Sequence, residues 1–165
     1  MLALVVAAAL IYEIILKQNK IKIFVYGSLL WDTIPFKHTS TKMVLKHFSR
    51  KLCIWSYTGR GTYQSPGLFW GIIPKNNANC TGKLLTFQNK NVLKWMDHRE
   101  GDLYLRTKIN GIFVYLPNVH HTQYDPNISK QQITNAYMTS KGQYGTTKEY
   151  VDNTIKEIQH INSQN

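Results

Sequence analysis

Hydrophobic positions along the chain gather in short bursts rather than in long helical stripes. Residues 20–26 (KIKIFVY) alternate charged and apolar and then turn fully apolar, the pattern of a strand entering a core. The run stops at Gly27-Ser28, a turn pair. Further strands are predicted at 51–57, 67–73, 81–87, 104–109 and 112–116, most of them separated by Gly, Pro or Asn. Between the fourth and fifth of these six strands, residues 91–99 set Val92, Leu93, Trp95 and Met96 on one helical face. Two more helices close the chain, because Ser129-x-x-Gln132 and Thr146-x-x-Glu149 are capping-box signatures. The first is expected to end at Gly142, a favoured residue just past a helix terminus. The second carries Tyr150, Val151, Thr154, Ile155 and Ile158 along one side. Six short strands with few helices predict an α+β fold: a single compact domain over 20–161, built on a bent mixed sheet or small β-barrel with a few flanking helices.

Residues 1–12 are unbroken apolar sequence, and after Glu13 the run resumes through Leu16. As a helix this leader of 1–19 has an apolar length of about 24 Å, short of an ordinary membrane span. It lacks the positive n-region of a secretory signal. Two readings stay open: a short membrane anchor through residues 1–16, or a helix packed on the domain or arising from a start site upstream of the true one. Lys17, Lys20 and Lys22 would keep an anchored domain on the cytoplasmic side. The expected location is therefore cytoplasmic, with or without an anchor. The sequons at Asn79 and Asn127 read as incidental in an Asn-rich chain.

Length and composition narrow the picture further. At 165 residues and 43% hydrophobic, the chain has room for one domain and enough apolar side chains to fill a core. A net charge of +11 admits nucleic acid, an anionic membrane or an acidic small molecule as partner without choosing among them. Cys53 and Cys80, both in strand-like apolar settings, read as inert buried thiols. The six histidines show no metal-ligand spacing, and His120-His121 read as solvated loop residues. Phosphate-binding and nucleophile-elbow motifs are absent. Two places carry candidate chemistry. Tyr26-Gly27-Ser28-Leu29 runs from a strand end into a turn whose backbone N–H groups can hold an anion. Glu100 closes a short helix at the negative pole of its dipole, which raises its pKa and suits it to proton transfer.

These pieces fall in a recognisable order. Residues 23–31 (IFVYGSLLW), Phe48-Ser49-Arg50-Lys51-Leu52-Cys53 with Ser56, Arg60-Gly61-Thr62, Ser65-Pro66-Gly67, Cys80-x-Gly82, residues 93–104 (LKWMDHREGDLY), His121-Thr122-Gln123-Tyr124 and Gly142-Gln143-Tyr144-Gly145 with Glu149-Tyr150 form one series. In this series the chain resembles the ChaC-type γ-glutamylcyclotransferases, of the γ-glutamylcyclotransferase-like fold, over about 21–161. The resemblance implies cleavage of glutathione into 5-oxoproline and cysteinylglycine, with no cofactor and no metal. It implies that Glu100 is the acid/base and that Val25, Tyr26, Gly27, Ser28 and Leu29 bind the γ-glutamyl group, with Tyr104 and Tyr124 lining the pocket. The expected partner is small-molecule glutathione, not nucleic acid, and the expected state is a monomer.

Departures from the family pattern bear on substrate preference. Val25 stands where Gly is usual before the Tyr, adding a side chain that can narrow the pocket, and Tyr63 stands where Pro is usual. Asp102, two residues from Glu100, is expected to push its pKa further up. A cyclotransferase acting on γ-glutamylamines or γ-glutamyl amino acids would keep the same turn and glutamate. From other classes, a basic binding module would need a basic-aromatic stripe, whereas the basic residues here are dispersed. An inactive, tethered family member is the remaining reading, and retention of both the turn and Glu100 counts against it.

Overall fold

The computed structural model describes residues 20–164 together with Val6. The leader, and with it the anchor reading, lies outside the described residues apart from Val6. Five strands form one mixed sheet: β1 (Ile21–Val25), β2 (His38–Ser56), β3 (Gly67–Phe87), β4 (Tyr104–Ile109) and β5 (Ile112–Pro117). Their spatial order is β2-β3-β1-β5-β4, with β1 and β5 parallel and the other pairs antiparallel. The sheet is open, because β2 and β4 stand at its two ends without pairing to each other. Of the two architectures expected, the bent mixed sheet is therefore the one adopted, not the barrel. Helix α1 (Asn91–Glu100) joins β3 to β4. Helices α2 (Lys130–Thr139) and α3 (Thr147–Ser163) follow β5, separated by a two-residue pair, β6 (Lys141–Gly142) and β7 (Gly145–Thr146). Among the described residues no helix is long and apolar enough to cross a membrane.

β1 is the central strand, and its apolar run reflects burial on both faces. Ile23 and Val25 pack with Leu85, Phe87, Val92, Met96 and Ile161, against α1 and the end of α3. Phe24 and Tyr26 pack on the opposite face with Leu45, Ile72 and Val114. A third cluster of Leu52, Leu68, Ile128, Ala136, Tyr150 and Val151 fastens α2 and α3 to the hairpin.

Three expectations are corrected by these elements. The strands predicted at 67–73 and 81–87 are one strand of 21 residues. The polar stretch between them, which reads as a turn, is an excursion: Lys46 pairs with Asn79 and Phe48 with Pro74, so residues 75–78 bulge from the ladder. His47 (φ 64°) and Asn77 (φ 58°) take the left-handed backbone this requires. Its partner begins at His38 rather than at 51, because the first half of β2 lies exposed and shows no apolar alternation. Helix α2 ends at Thr139, with Ser140 as its cap, and Gly142 belongs to β6. Both capping boxes form as expected, Ser129 with Gln132 and Thr146 with Glu149.

The loop from β2 to β3 folds back on itself so tightly that glycine is required. A Cβ on Gly61 would stand 2.0 Å from the Gly67 nitrogen, a backbone atom that cannot swing away. Gly61→Ala is expected to destabilise the fold by about 3 kcal/mol, as an overpacked backbone contact, read as a lowered urea midpoint.

Candidate active site

β1 stops at Val25, and the chain leaves the sheet through a short 3-10 turn, Ser28–Leu30. Neighbouring groups fix this exit. Arg50 Nε donates to the Tyr26 carbonyl at 2.9 Å, and Lys83 Nζ donates to the Leu30 carbonyl at 2.8 Å. The Trp31 indole N–H donates to Thr154 Oγ1 of α3 at 3.1 Å. Within the turn, the N–H groups of Leu30, Trp31 and Asp32 fold back onto the carbonyls of Gly27 and Ser28. Those of Gly27, Ser28 and Leu29 meet no acceptor among the described residues. They line a cavity of about 790 Å³.

Glu100 lines the same cavity. It is the last residue of α1, which Gly101 ends by taking φ +59°. The Glu100 side chain is 18% exposed, and burial raises its pKa from the ordinary 4.5 to about 7. The nearest cation opposes this: Arg99 Nε lies 3.7 Å from Glu100 Oε1 and favours the charged form. Arg99 is also spent on Asp32, at 2.6 Å, and on Ser28 Oγ, at 3.2 Å, so it bridges the turn to α1. The rise expected from the sequence is present, with burial as its cause. Asp102 makes no contribution of the kind expected: its side chain is 85% exposed and faces His121 Nε2 at 3.5 Å.

The cavity walls carry phenols held neutral by burial. Tyr26 and Tyr104 both titrate well above the ordinary tyrosine range. Their hydroxyls are committed to backbone, Tyr26 donating to the Tyr115 carbonyl at 2.6 Å and Tyr104 to the Trp70 carbonyl at 2.7 Å. The Tyr150 hydroxyl accepts from the Trp70 N–H at 3.1 Å and lies against Gly27, where an added Cβ would come within 3.3 Å of it.

The structure thus brings Val25, Tyr26, Gly27, Ser28, Leu29, Glu100 and Tyr104 to one cavity. The Val25 side chain is 3% exposed and sits in the core with Ile23, Leu85 and Phe87. Tyr124 is not among the cavity-lining residues. Residues 123–125 run along the free edge of β2, with Trp55 N donating to the Gln123 carbonyl and Asp125 N to the Cys53 carbonyl. Successive side chains on such an extended segment point to opposite faces, and here Gln123 is the one that meets the cavity. His121 is not solvated as its loop suggested: its side chain is 17% exposed, and Nδ1 accepts from the Gln123 N–H. Cys53 and Cys80 are buried, which raises both thiol pKa values. Sequence reasoning gave no role to Arg60, Trp31 or Tyr150, which also line the cavity. A lone arginine set between two glycines (Gly59-Arg60-Gly61) is the signal that singles out the first. Among the described residues no group of three His, Cys, Asp or Glu side chains is placed to hold a metal ion.

A mostly buried carboxyl and acceptor-free N–H groups lining one cavity are the groups that proton transfer beside a developing oxyanion calls for. The architecture that carries this site matches a crystal structure of the selenomethionine-labelled γ-glutamyl cyclotransferase specific to glutathione from yeast, with a TM-score of 0.76 at 14% identity, covering 86% of this chain and 87% of that one. The fold is thus the γ-glutamylcyclotransferase-like α+β fold. The family model described as ChaC-like protein matches residues 21–165, and the chain belongs to that family. Among curated relatives, a glutathione-specific γ-glutamylcyclotransferase of Schizosaccharomyces pombe is 22% identical, over 89% of this chain and 87% of that protein. One of Escherichia coli K12 bearing the same name is 24% identical, over 89% of this chain and 69% of that protein.

The raised carboxyl has a consequence for stability. Its folded pKa exceeds the unfolded value, so the native state holds more protons between pH 4.5 and about 7, and stability falls as pH rises through that window. Glu100→Gln, which mimics the protonated acid, is expected to gain on the wild type by up to about 3 kcal/mol between pH 4.5 and 8. Urea denaturation at both pH values measures this, and an offset that does not change with pH would mean a solvated carboxyl.

Proposed function

We propose that this chain is a γ-glutamylcyclotransferase, a lyase that cleaves glutathione into 5-oxoproline and cysteinylglycine. The observation that carries the reading is the mostly buried Glu100 carboxyl on the same cavity as the acceptor-free N–H groups of Gly27, Ser28 and Leu29. Family membership and the names of the two curated relatives support the choice of reaction.

In this reading the substrate carries its own nucleophile. The α-amino nitrogen attacks the γ-carbonyl carbon and closes a five-membered ring, and the bond from that carbon to the cysteinyl nitrogen breaks. Ring closure is entropically cheap once the cavity holds the glutamyl chain folded, so positioning by residues 25–29 and the Tyr104 wall supplies much of the rate. Glu100, as carboxylate, removes a proton from the ammonium and later hands one to the departing nitrogen. A carboxyl titrating near 7 is suited to both halves of that transfer at neutral pH. The turn N–H groups receive the oxyanion of the tetrahedral intermediate. The reaction as written calls on no cofactor, and a cytoplasmic monomer is part of the same reading.

Glu100→Gln is expected to lower turnover by at least 10²- to 10⁴-fold (an order-of-magnitude range) with the fold intact, as read by mass spectrometry of 5-oxoproline and cysteinylglycine. Full activity in that variant would remove Glu100 from the reaction. For the wild type, kcat/KM is expected to fall about tenfold per pH unit below an apparent pKa near 7, because the base form is required. Gly27→Val is expected to cut kcat/KM by roughly ten- to a hundredfold, because its side chain presses on Tyr150 and closes the approach to the turn. Unchanged kinetics would take the turn out of the site.

A further inference from the structure

We propose that Arg60 receives the C-terminal carboxylate of the substrate's leaving peptide, and so makes the site selective for γ-glutamyl peptides over γ-glutamyl amines. The inference rests on the cyclotransferase reading and names the residue that sets its specificity.

Arg60 is 8% exposed, and its side chain lines the cavity. Its backbone is pinned, the N–H donating to Ser56 Oγ at 2.8 Å and the carbonyl accepting from Thr147 Oγ1 at 3.4 Å. The guanidinium lies over two aromatic rings, 5.3 Å from the Tyr150 centroid and 5.9 Å from that of Trp31. It makes no hydrogen bond and no ion pair with any group among the described residues. The acids in its neighbourhood are engaged elsewhere. Glu149 accepts from the Thr146 N–H in the capping box, and Asp32 pairs with Arg99. A guanidinium withdrawn from water without an acceptor is costly, and burial already depresses its pKa. Arg99, the other arginine on the cavity, has both Asp32 and Glu100 beside it. Arg60 is therefore the arginine of the cavity wall left without an oxygen partner, and its planar fork fits a carboxylate on two parallel hydrogen bonds.

Glutathione offers two carboxylates, and position decides between them. The α-carboxylate shares a carbon with the attacking amine, so it must lie within a few ångströms of the base. The cation beside the base is Arg99, with Nε 3.7 Å from Glu100 Oε1 and Nη2 3.2 Å from Ser28 Oγ, whereas the Arg60 guanidinium lies over Trp31 and Tyr150 and borders β7, where a Cβ on Gly145 would come within 3.0 Å of Nη1. Arg60 occupies another part of the wall, and the glycine carboxylate of the leaving peptide is the one assigned to it.

The test compares kcat/KM for glutathione with that for glutathione amidated at its glycine carboxyl, using wild type, Arg60→Gln and Arg60→Lys. Wild type is expected to prefer the acid by about 10- to 100-fold, the usual worth of a charge-assisted pair. Arg60→Gln is expected to bring the ratio to within about threefold of unity, with the loss on glutathione and mostly in KM. Arg60→Lys, which keeps the charge without the fork, should fall between. An unchanged ratio in a folded Arg60→Gln, or equal losses on both substrates, would overturn the assignment, since either means that Arg60 serves the glutamyl end or the loop. Wild type that treats acid and amide alike would overturn it without any variant. Wild type inactive on both substrates would fell the cyclotransferase reading itself and this inference with it, a result distinct from the others.

Discussion

The site depends on where the central strand of the sheet ends. β1 is five residues long, between a β3 of 21 residues and the parallel β5, so its backbone runs out of partners in the middle of the molecule. Buried peptide groups at such a place must be satisfied or exposed to a ligand. The carbonyls are satisfied, by Arg50 at Tyr26 and by Lys83 at Leu30. The N–H groups of Gly27, Ser28 and Leu29 are left to the cavity. Those two cations sit on the hairpin strands, so the hairpin that covers one face of β1 also aims the turn. Lys83 is itself held by Glu157 of α3 at 2.6 Å, which ties the same point to the last helix.

Against this turn the fold places an acid that water would stabilise better than the protein does. Arg99 tempers the cost without cancelling it, because its strong contact is to Asp32 and its distance to Glu100 is longer. A tighter pair would return the carboxyl to its ordinary range and leave it a weak base near neutral pH. The geometry holds both needs at once, with Arg99 close enough to link α1 to the turn and loose enough to leave Glu100 protonatable. Arg60 repeats this logic with the opposite charge on another part of the wall: a mostly buried guanidinium lies over Trp31 and Tyr150 with no direct hydrogen bond or ion pair among the described residues, and only the more distant charges of Glu149 and Asp32 favour it. Stability is given up at both positions, and both open onto the same cavity.

Much of this was legible in the residues. The apolar run into Gly27-Ser28, the helix ending at Glu100, the hairpin of β4 and β5 and both capping boxes follow from local patterns that the structure keeps. The long hairpin was not legible. A polar tract at 75–79 looks the same whether it ends a strand or bulges from one, and the exposed half of β2 carries no buried alternation to mark it. At the site, the turn, the glutamate and Tyr104 were candidates, drawn from the family resemblance more than from local pattern, and the structure places all three on one cavity, while the rest of the wall carried no local mark. The choice of Gln123 over Tyr124 depends on which face of an edge segment meets the cavity. The isolation of Arg60 depends on Glu149 and Asp32 being engaged by other groups, a fact of three dimensions. The cause of the Glu100 shift is likewise burial by distant elements and not its neighbour Asp102.

The claim that unites the turn, the carboxyl and the cavity is that the substrate's own amine displaces the peptide. Glutathione carrying ¹⁵N in the glutamyl amine, turned over by the wild type in H₂¹⁸O, tests it directly by mass spectrometry. The account expects 5-oxoproline with the ¹⁵N in its ring and no ¹⁸O. Glutamate carrying ¹⁸O would mean that water is the nucleophile and would contradict it.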